Sequence, residues 1–308
     1  MTNNHSIFVA SSSFGLEAGD FLKKSGYPYS LNSTGRRLSS KELADMGQEA
    51  VAMIAGLEPY DAYVLEHCQR LRCISRCGVG VDNIDFATAQ KRGVKVFTTP
   101  DVVVGPVAEM TIAMILDLMR SLSQHLALMR EGRWERLMGE QLAGKTVGVL
   151  GLGRIGRKVA ELLIGLDAKV IGYDIAPDTD WAARCGVKLV SLDDLISTCD
   201  ILTLHLAVSE HNPFCLKEEQ LAHMKRGAFV VNVSRGSFID EGALETVLRR
   251  GHLAGAALDV YQQEPYQGSL RDLPNVILTP HVATFTRQSR LQMEIQATEN
   301  VISFLNSL

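Results

Sequence analysis

The segment Thr146–Gly156 reads TVGVLGLGRIG, an apolar run that leads straight into Gly151-x-Gly153-x-x-Gly156. Eighteen residues past the last glycine, Val170-Ile-Gly-Tyr-Asp174 supplies a second apolar run closed by a carboxylate. No other feature of the chain restricts its fold so strongly. A dinucleotide site on a βαβ unit needs one glycine where the turn is tight and another where backbone meets pyrophosphate. It needs a third where helix packs on strand, and an acid at the tip of the next strand for the adenosine ribose hydroxyls. In a chain with 26 glycines the triplet alone says little. Its context gives it weight. Val147–Leu150 is strand-like, and from Arg154 to Leu166 the residues Ile155, Val159, Leu162, Leu163 and Leu166 fall at helical spacing. Such a helix turns its free N–H groups and positive dipole end toward a phosphate. Asp174 is followed by Ile175, Ala176 and Pro177, with no Arg or Lys close behind. A carboxylate repels a 2′-phosphate, so the expected cofactor is NAD rather than NADP.

The glycine motif sits in the middle of a long alternation of strand and helix signals. Before it, candidate strands lie at Ile7–Ala10, Ala50–Ile54, Arg72–Arg76 and Val94–Thr98, with amphipathic segments such as Glu17–Lys24, Tyr60–His67 and Ile84–Arg92 between them. This is the pattern of a parallel α/β unit, and Pro100 ends it. A helical stretch from about Pro106 to Arg130 follows. It is apolar on nearly all sides from Ala108 to Leu118, as for a helix enclosed between two bodies of protein. A second alternation starts at Lys145, with strands at Val147–Leu150, Lys169–Tyr173, Ile201–Leu204, Phe229–Asn232, Gly255–Leu258 and Val276–Leu278. Six strands make a full doubly wound, Rossmann-type sheet. Thr286–Leu308 then reads as an amphipathic helix with no place in that sheet. The expectation is an α/β protein of two domains, the nucleotide-binding domain 101–283 being inserted into a domain made of 1–100 and 284–308. The two chain crossings, near Pro100 and Ala283, would form a hinge beside a cleft.

Bulk properties narrow the function classes. At 308 residues, 46% hydrophobic and 21% charged, the chain suits a globular protein of two ordinary domains. A net charge of −4 gives no reason to expect nucleic acid or an anionic membrane as partner. No basic, apolar leader is visible at MTNNHSIFVASSS, and no uncharged apolar run reaches about 18 residues. The six cysteines include no CxxC pair, so reduced thiols and a cytoplasmic location are expected, with no metal site.

Three charged residues stand at the ends of late strands, where open α/β sheets place their ligands. They are Arg235 in Val231-Asn-Val-Ser-Arg-Gly236, Glu264 in Leu258-Asp-Val-Tyr-Gln-Gln-Glu-Pro265, and His281 in Leu278-Thr-Pro-His281. Singly, each suits a solvated loop or a strand cap. Together they form an arginine, an acid and an imidazole able to converge.

The segments GLGRIG, VNVSRG, DEGAL, GAALDVYQQEP and TPH, in this order, with RCGVGVDNID and the VAE of Pro106-Val-Ala-Glu109 before them, closely resemble the D-isomer-specific 2-hydroxyacid dehydrogenases. The likeness covers essentially the whole chain and is strongest to the phosphoglycerate dehydrogenase branch. It implies a flavodoxin-like substrate domain, discontinuous in sequence, and an inserted Rossmann domain through which a homodimer usually forms. It implies that Arg235 binds the substrate carboxylate and the C2 carbonyl oxygen, as a planar guanidinium fork suits an α-keto acid. His281 would exchange a proton with that oxygen, and Glu264 would orient and charge the imidazole. By the same likeness Arg154 and Ile155 lie at the pyrophosphate and Asp259 faces the nicotinamide carboxamide. Leu206, Val233 and Ser234 lie beside the cofactor. The loop Cys77-Gly-Val79-Gly80 offers backbone N–H groups to the substrate carboxylate, with Arg76 as a more distant anion contact.

One departure bears on the substrate. The resembling phosphoglycerate dehydrogenases carry an Arg-Ser pair after the third strand, against the phosphate. The matching stretch here, Met53-Ile-Ala-Gly56-Leu-Glu-Pro59, has no arginine. Phosphoglycerate is therefore a weaker expectation than the overall likeness suggests, although Arg36 and Arg37 in a neighbouring loop offer charge. With the last residue at Leu308, the regulatory domain that some phosphoglycerate dehydrogenases append is not expected. A protein of this fold can also act as an NAD-sensing co-repressor that binds peptide motifs. The triad does not separate the two functions, but the lack of a basic patch and of polar tails favours the enzyme.

Overall fold

The computed structural model describes residues 5–208 and 214–308. The chain divides into two compact units, one comprising residues up to Val103 together with Phe285–Leu308, the other Val104–Thr284.

In the first unit the elements alternate as β1 (Ser6–Val9), α1 (Leu16–Lys24), β2 (Tyr29–Leu31), α2 (Ser40–Gly47), β3 (Ala50–Ala55), α3 (Ala62–His67), β4 (Cys73–Arg76), α4 (Phe86–Lys91) and β5 (Lys95–Phe97). The strands form a parallel sheet in the order β2-β1-β3-β4-β5, the flavodoxin-like arrangement. β3, AVAMIA, is buried at every position, as a central strand covered on both faces must be. Two elements had no place in the sequence pattern. β2 is a three-residue exposed edge strand with no apolar run. α2 is opened by Ser39 and Glu42, each accepting from the other's backbone N–H in a capping box.

The second unit begins with α5 (Val104–Arg120) and α6 (Leu122–Arg130). The expected single helix is broken at Ser121, which takes a left-handed φ of 49°. The Asp117 carboxylate accepts from Ser123 N at 2.8 Å, giving that N–H a partner outside the helical ladder. α5 buries Val107, Ala108, Thr111, Met114, Ile115, Leu118 and Met119, while Glu109 and Ala113 are exposed, so it is not enclosed all round.

There follow β6 (Thr146–Leu150), α7 (Arg154–Gly165), β7 (Lys169–Tyr173), α8 (Thr179–Cys185), β8 (Lys188–Leu189), α9 (Leu192–Thr198), β9 (Ile201–Leu204), α10 (Glu218–His223), β10 (Phe229–Asn232), α11 (Glu241–Arg249), β11 (Gly255–Leu258) and β12 (Val276–Leu278). They make a seven-stranded parallel sheet in the order β12-β11-β10-β9-β6-β7-β8. β8, two residues long, is the strand that periodicity did not reveal. One face of the sheet packs Leu150, Leu202, Leu204, Val230 and Leu258 against Leu195, Leu244 and Leu248 of α9 and α11. The chain order reverses between β6 and β9, so the crevice beyond their carboxyl ends is where such a sheet takes its ligand.

The last helix, α12 (Arg287–Asn306), belongs to the first unit, where it packs on β3, β4 and α1. Its buried stripe Ser289, Met293, Ala297, Val301 and Leu305 follows helical spacing, and Glu294 and Thr298 are buried beside it. The Glu294 carboxylate accepts from Gly15 N at 2.8 Å and from Arg290 at 2.6 Å, which satisfies a charge so placed. No helix of the described residues is long and apolar enough to cross a membrane.

Candidate active site

The glycine loop after β6 is shaped by contacts that leave no room for side chains. Gly151 has φ +93°, and a Cβ there would lie 2.6 Å from the His205 carbonyl oxygen at the end of β9. A Cβ on Gly156 would overlap the Gly151 carbonyl. A Cβ on Gly153 would meet nothing within 4 Å, so this glycine faces open space as the N-cap of α7. With no side chain to cap them, the first N–H groups of α7 remain available to an anion. Leu206 lies against Gly151 across the β6–β9 reversal.

Asp174, just beyond β7, accepts from Leu152 N at 2.7 Å through one oxygen and from Ala176 N at 2.9 Å through the other. These bonds fix the carboxylate beside the glycine loop. Sequence reading missed Arg157, whose Nε donates to the Leu152 carbonyl oxygen at 2.8 Å. Its guanidinium is engaged by Asp178 at 3.0 Å and stacks over Trp181 at 5.1 Å from the ring centroid. The cation at this end of the site is thus already paired. A glycine cradle, an uncapped helix N-terminus and a fixed acid fit NAD.

The three charged residues converge in the second unit. His281 Nδ1 lies 3.0 and 3.1 Å from the two Glu264 oxygens, and the two side chains keep 34% and 35% of their exposure. Burial opposes ionisation of Glu264, but its hydrogen bond and charge interaction with His281 outweigh that and hold the carboxyl below its usual range. The Arg235 charge acts on Glu264 in the same direction.

Arg235 and Glu264 are each placed by a neighbour that the sequence did not single out. Asn232, at the end of β10 and 1% exposed, donates to the Arg235 carbonyl oxygen at 2.8 Å. Its own oxygen accepts from Ser234 N and Oγ, closing the Val233–Arg235 turn. A Cβ on Gly236 would overlap the Tyr261 carbonyl, so only glycine lets the arginine turn pack on the glutamate loop. Glu264 Oε1 also accepts from Tyr261 N at 3.3 Å. An Asn-x-Ser after a buried strand is a readable turn signal, but backbone overlap at Gly236 is tertiary and leaves no local trace.

The first-unit candidates share one loop after β4. Gly78, at φ +137°, donates to Thr99 Oγ1 at 2.8 Å. Arg76 turns back on the loop, with Nε on the Gly80 carbonyl oxygen at 3.0 Å and a guanidinium nitrogen on that of Cys77. Val79 is exposed. Arg36 forms an ion pair with Glu42, the residue that closes the α2 capping box. It therefore serves the helix start.

Residues 112–283 match the family described as D-isomer specific 2-hydroxyacid dehydrogenase, NAD binding domain. The chain belongs to the D-isomer specific 2-hydroxyacid dehydrogenase family. NAD is the cofactor of its second unit. A D-3-phosphoglycerate dehydrogenase from Archaeoglobus fulgidus is 36% identical over 297 residues, covering 95% of this chain and 56% of that protein. A glyoxylate reductase from Korarchaeum cryptofilum is 35% identical over 275 residues, covering 86% of this chain and 83% of that protein. The chain thus spans about half the length of the phosphoglycerate dehydrogenases it matches. A D-lactate dehydrogenase from Aquifex aeolicus, solved with NAD and lactic acid, superposes with a TM-score of 0.87 at 25% identity, over 98% of this chain and 96% of that one.

Proposed function

We propose that the protein is an NAD-dependent oxidoreductase that interconverts a D-2-hydroxy acid and its 2-keto acid, with the first unit as substrate domain. The observation that carries this reading is the His281–Glu264 pair, held at 3.0 Å on the sheet that carries the glycine cradle. When bound, the nicotinamide exchanges hydride with C2 of the substrate. Arg235 presents a fixed positive charge and a planar donor fork to the carboxylate and the C2 oxygen. His281 keeps Nδ1 on Glu264, so Nε2 is the nitrogen that gives a proton to the C2 oxygen in reduction and takes it back in oxidation. Glu264 fixes the ring through Nδ1. Leu206, Val233 and Ser234 line the cofactor side, with Arg154 and Ile155 at the pyrophosphate and Asp174 on the adenosine ribose. Val79 and Gly80 offer backbone N–H groups to the substrate carboxylate, with Arg76 behind them.

The protein is further proposed to be a cytoplasmic homodimer joined through the second unit. α6 buries none of its residues and exposes Leu122, Leu126 and Met129, and Trp134 and Met138 on the segment after it are 78% and 98% exposed. An apolar surface of that kind marks an interface, and the six free thiols suit a reducing compartment. The functional test is NADH oxidation with a panel of 2-keto acids that includes glyoxylate, hydroxypyruvate and phosphohydroxypyruvate. Turnover of one or more supports the reading. NADH binding without turnover of any would favour a binding protein instead.

A further inference from the structure

The first unit has its own point of chain reversal. In the order β2-β1-β3-β4-β5 the chain steps from β1 to one side into β2, and from β3 onward to the other. The ligand crevice of such a sheet lies beyond the carboxyl ends of β1 and β3. The loops after these two strands meet there. A Cβ on Gly56 would lie 3.3 Å from Ser11 Cα and 2.9 and 3.1 Å from the Glu58 carboxylate oxygens. Glu58 therefore folds back over the end of β3 beside the loop after β1, and only 2% of it is exposed. Asn83 Nδ2 donates to the Glu58 carbonyl oxygen at 2.6 Å, which fixes the loop. The carboxylate itself is incompletely bonded. Its Oε2 accepts from Gly56 N at 2.8 Å, whereas its Oε1 has no hydrogen-bond or ion-pair partner among the described residues. Tyr60, fully buried two residues on, has a hydroxyl that also lacks a partner among the described residues. Burial first, and then the Glu58 charge, push that hydroxyl well above its ordinary pKa, so it stays a donor. An acceptor and a donor left open at one end of a sheet are costly until a polar group from outside meets them.

The nearby guanidinium groups are committed elsewhere. Arg290 Nη2 donates to Glu294 at 2.6 Å and to Ser13 Oγ at 2.8 Å. Arg76 is turned onto the carbonyl oxygens of its own loop, and Arg36 is paired with Glu42. An anion arriving beyond β3 would thus meet the Glu58 carboxylate. We propose that Glu58 is a specificity-determining residue: its open oxygen accepts from a hydroxyl on C3 of a short 2-keto acid and rejects a phosphate or a second carboxylate at that position. This rests on the reading of the first unit as substrate domain and narrows it to one substrate class, the 3-hydroxy-2-keto acids.

The test uses pyruvate, hydroxypyruvate and phosphohydroxypyruvate, which carry hydrogen, hydroxyl and phosphate at C3 of one skeleton. In kcat/KM the unaltered protein is expected to favour hydroxypyruvate about 10-fold over pyruvate and about 100-fold over phosphohydroxypyruvate. Glu58→Gln keeps the side-chain size and an acceptor for Gly56 N, but presents an NH2 group in place of the charge. Its preference for hydroxypyruvate over phosphohydroxypyruvate should shrink at least about 10-fold, with pyruvate turnover within about 3-fold of the parent. A parent that favours phosphohydroxypyruvate would overturn the proposal. So would a variant whose three rates fall in step, since Glu58 would then only shape its loop. If Glu58→Gln fails to fold, the parent's own ranking of the three acids decides. Should the parent reduce none of them, the failure lies with the functional reading, and calorimetric titration of the acids into the NADH complex decides instead. Hydroxypyruvate binding at least about 10-fold tighter than phosphohydroxypyruvate supports the assignment, and equal, reversed or undetectable binding refutes it.

Discussion

His205 gives a prediction whose size follows from the structure. Its Nε2 lies 2.9 Å from Thr203 Oγ1, and its Nδ1 is sealed from solvent with no hydrogen-bond partner among the described residues. Burial alone lowers its pKa to about 3. The folded protein therefore refuses a proton that the unfolded chain accepts below its ordinary value near 6.5. Stability must fall as pH drops below that value, and the loss continues until about pH 3. Between pH 7.5 and pH 5 it amounts to RT ln(1 + 10^1.5), about 2 kcal/mol. The figure barely changes for any folded value below about 4, because at pH 5 it depends almost wholly on the unfolded chain. The perturbation is His205→Asn, which keeps a polar group for Thr203 and removes the titration. Both tryptophans, Trp134 and Trp181, lie in the second unit, so urea unfolding followed by tryptophan fluorescence reports on the unit that holds His205. The unaltered protein should lose about 2 kcal/mol more than the variant on going from pH 7.5 to pH 5. Glu264, whose lowered pKa makes its contribution vanish as pH falls through the carboxylate range, titrates alike in both proteins and cancels. Equal losses would show that the imidazole is hydrated or paired in solution and would refute the reasoning.

Asp174→Ala removes the carboxylate that repels a 2′-phosphate, so NADH affinity should fall about 10-fold while NADPH affinity holds or rises, read by fluorescence titration. Arg235→Lys keeps the charge but loses the fork. The kcat/KM should fall roughly 100-fold, mostly through KM, in steady-state assays with the best keto acid. Trp134→Ser combined with Leu126→Ser should shift sedimentation from dimer to monomer, whereas an unchanged sedimentation coefficient would place the interface elsewhere.

The fold was legible wherever a burial pattern is local. The strands from Lys169–Tyr173 to Val276–Leu278 announce themselves as short apolar runs because a doubly covered parallel sheet buries both faces. The edges were not legible. β2 and β8 are short and partly exposed, so they carry no such run. α2 could have been found, since Ser39 and Glu42 spell its capping box. The break at Ser121 was hidden because nothing around it is Gly or Pro; an Asp117 side chain makes it. At the site, Arg235, Glu264 and His281 were visible as charges at strand ends, while their supports were not. Asn232 closes its turn on Arg235, three residues away, with a local signal that could have been read, whereas Gly236 and Asp259 act through partners roughly 25 residues away, a separation that no local pattern encodes.

The most direct test of the account is His281→Ala. It should abolish NADH-dependent reduction of every keto acid that the parent protein accepts, by at least about 1,000-fold in kcat, while NADH affinity and thermal midpoint stay near those of the parent. A variant that still turns over at a comparable rate would contradict the assignment of the His281–Glu264 pair as the proton-transfer centre.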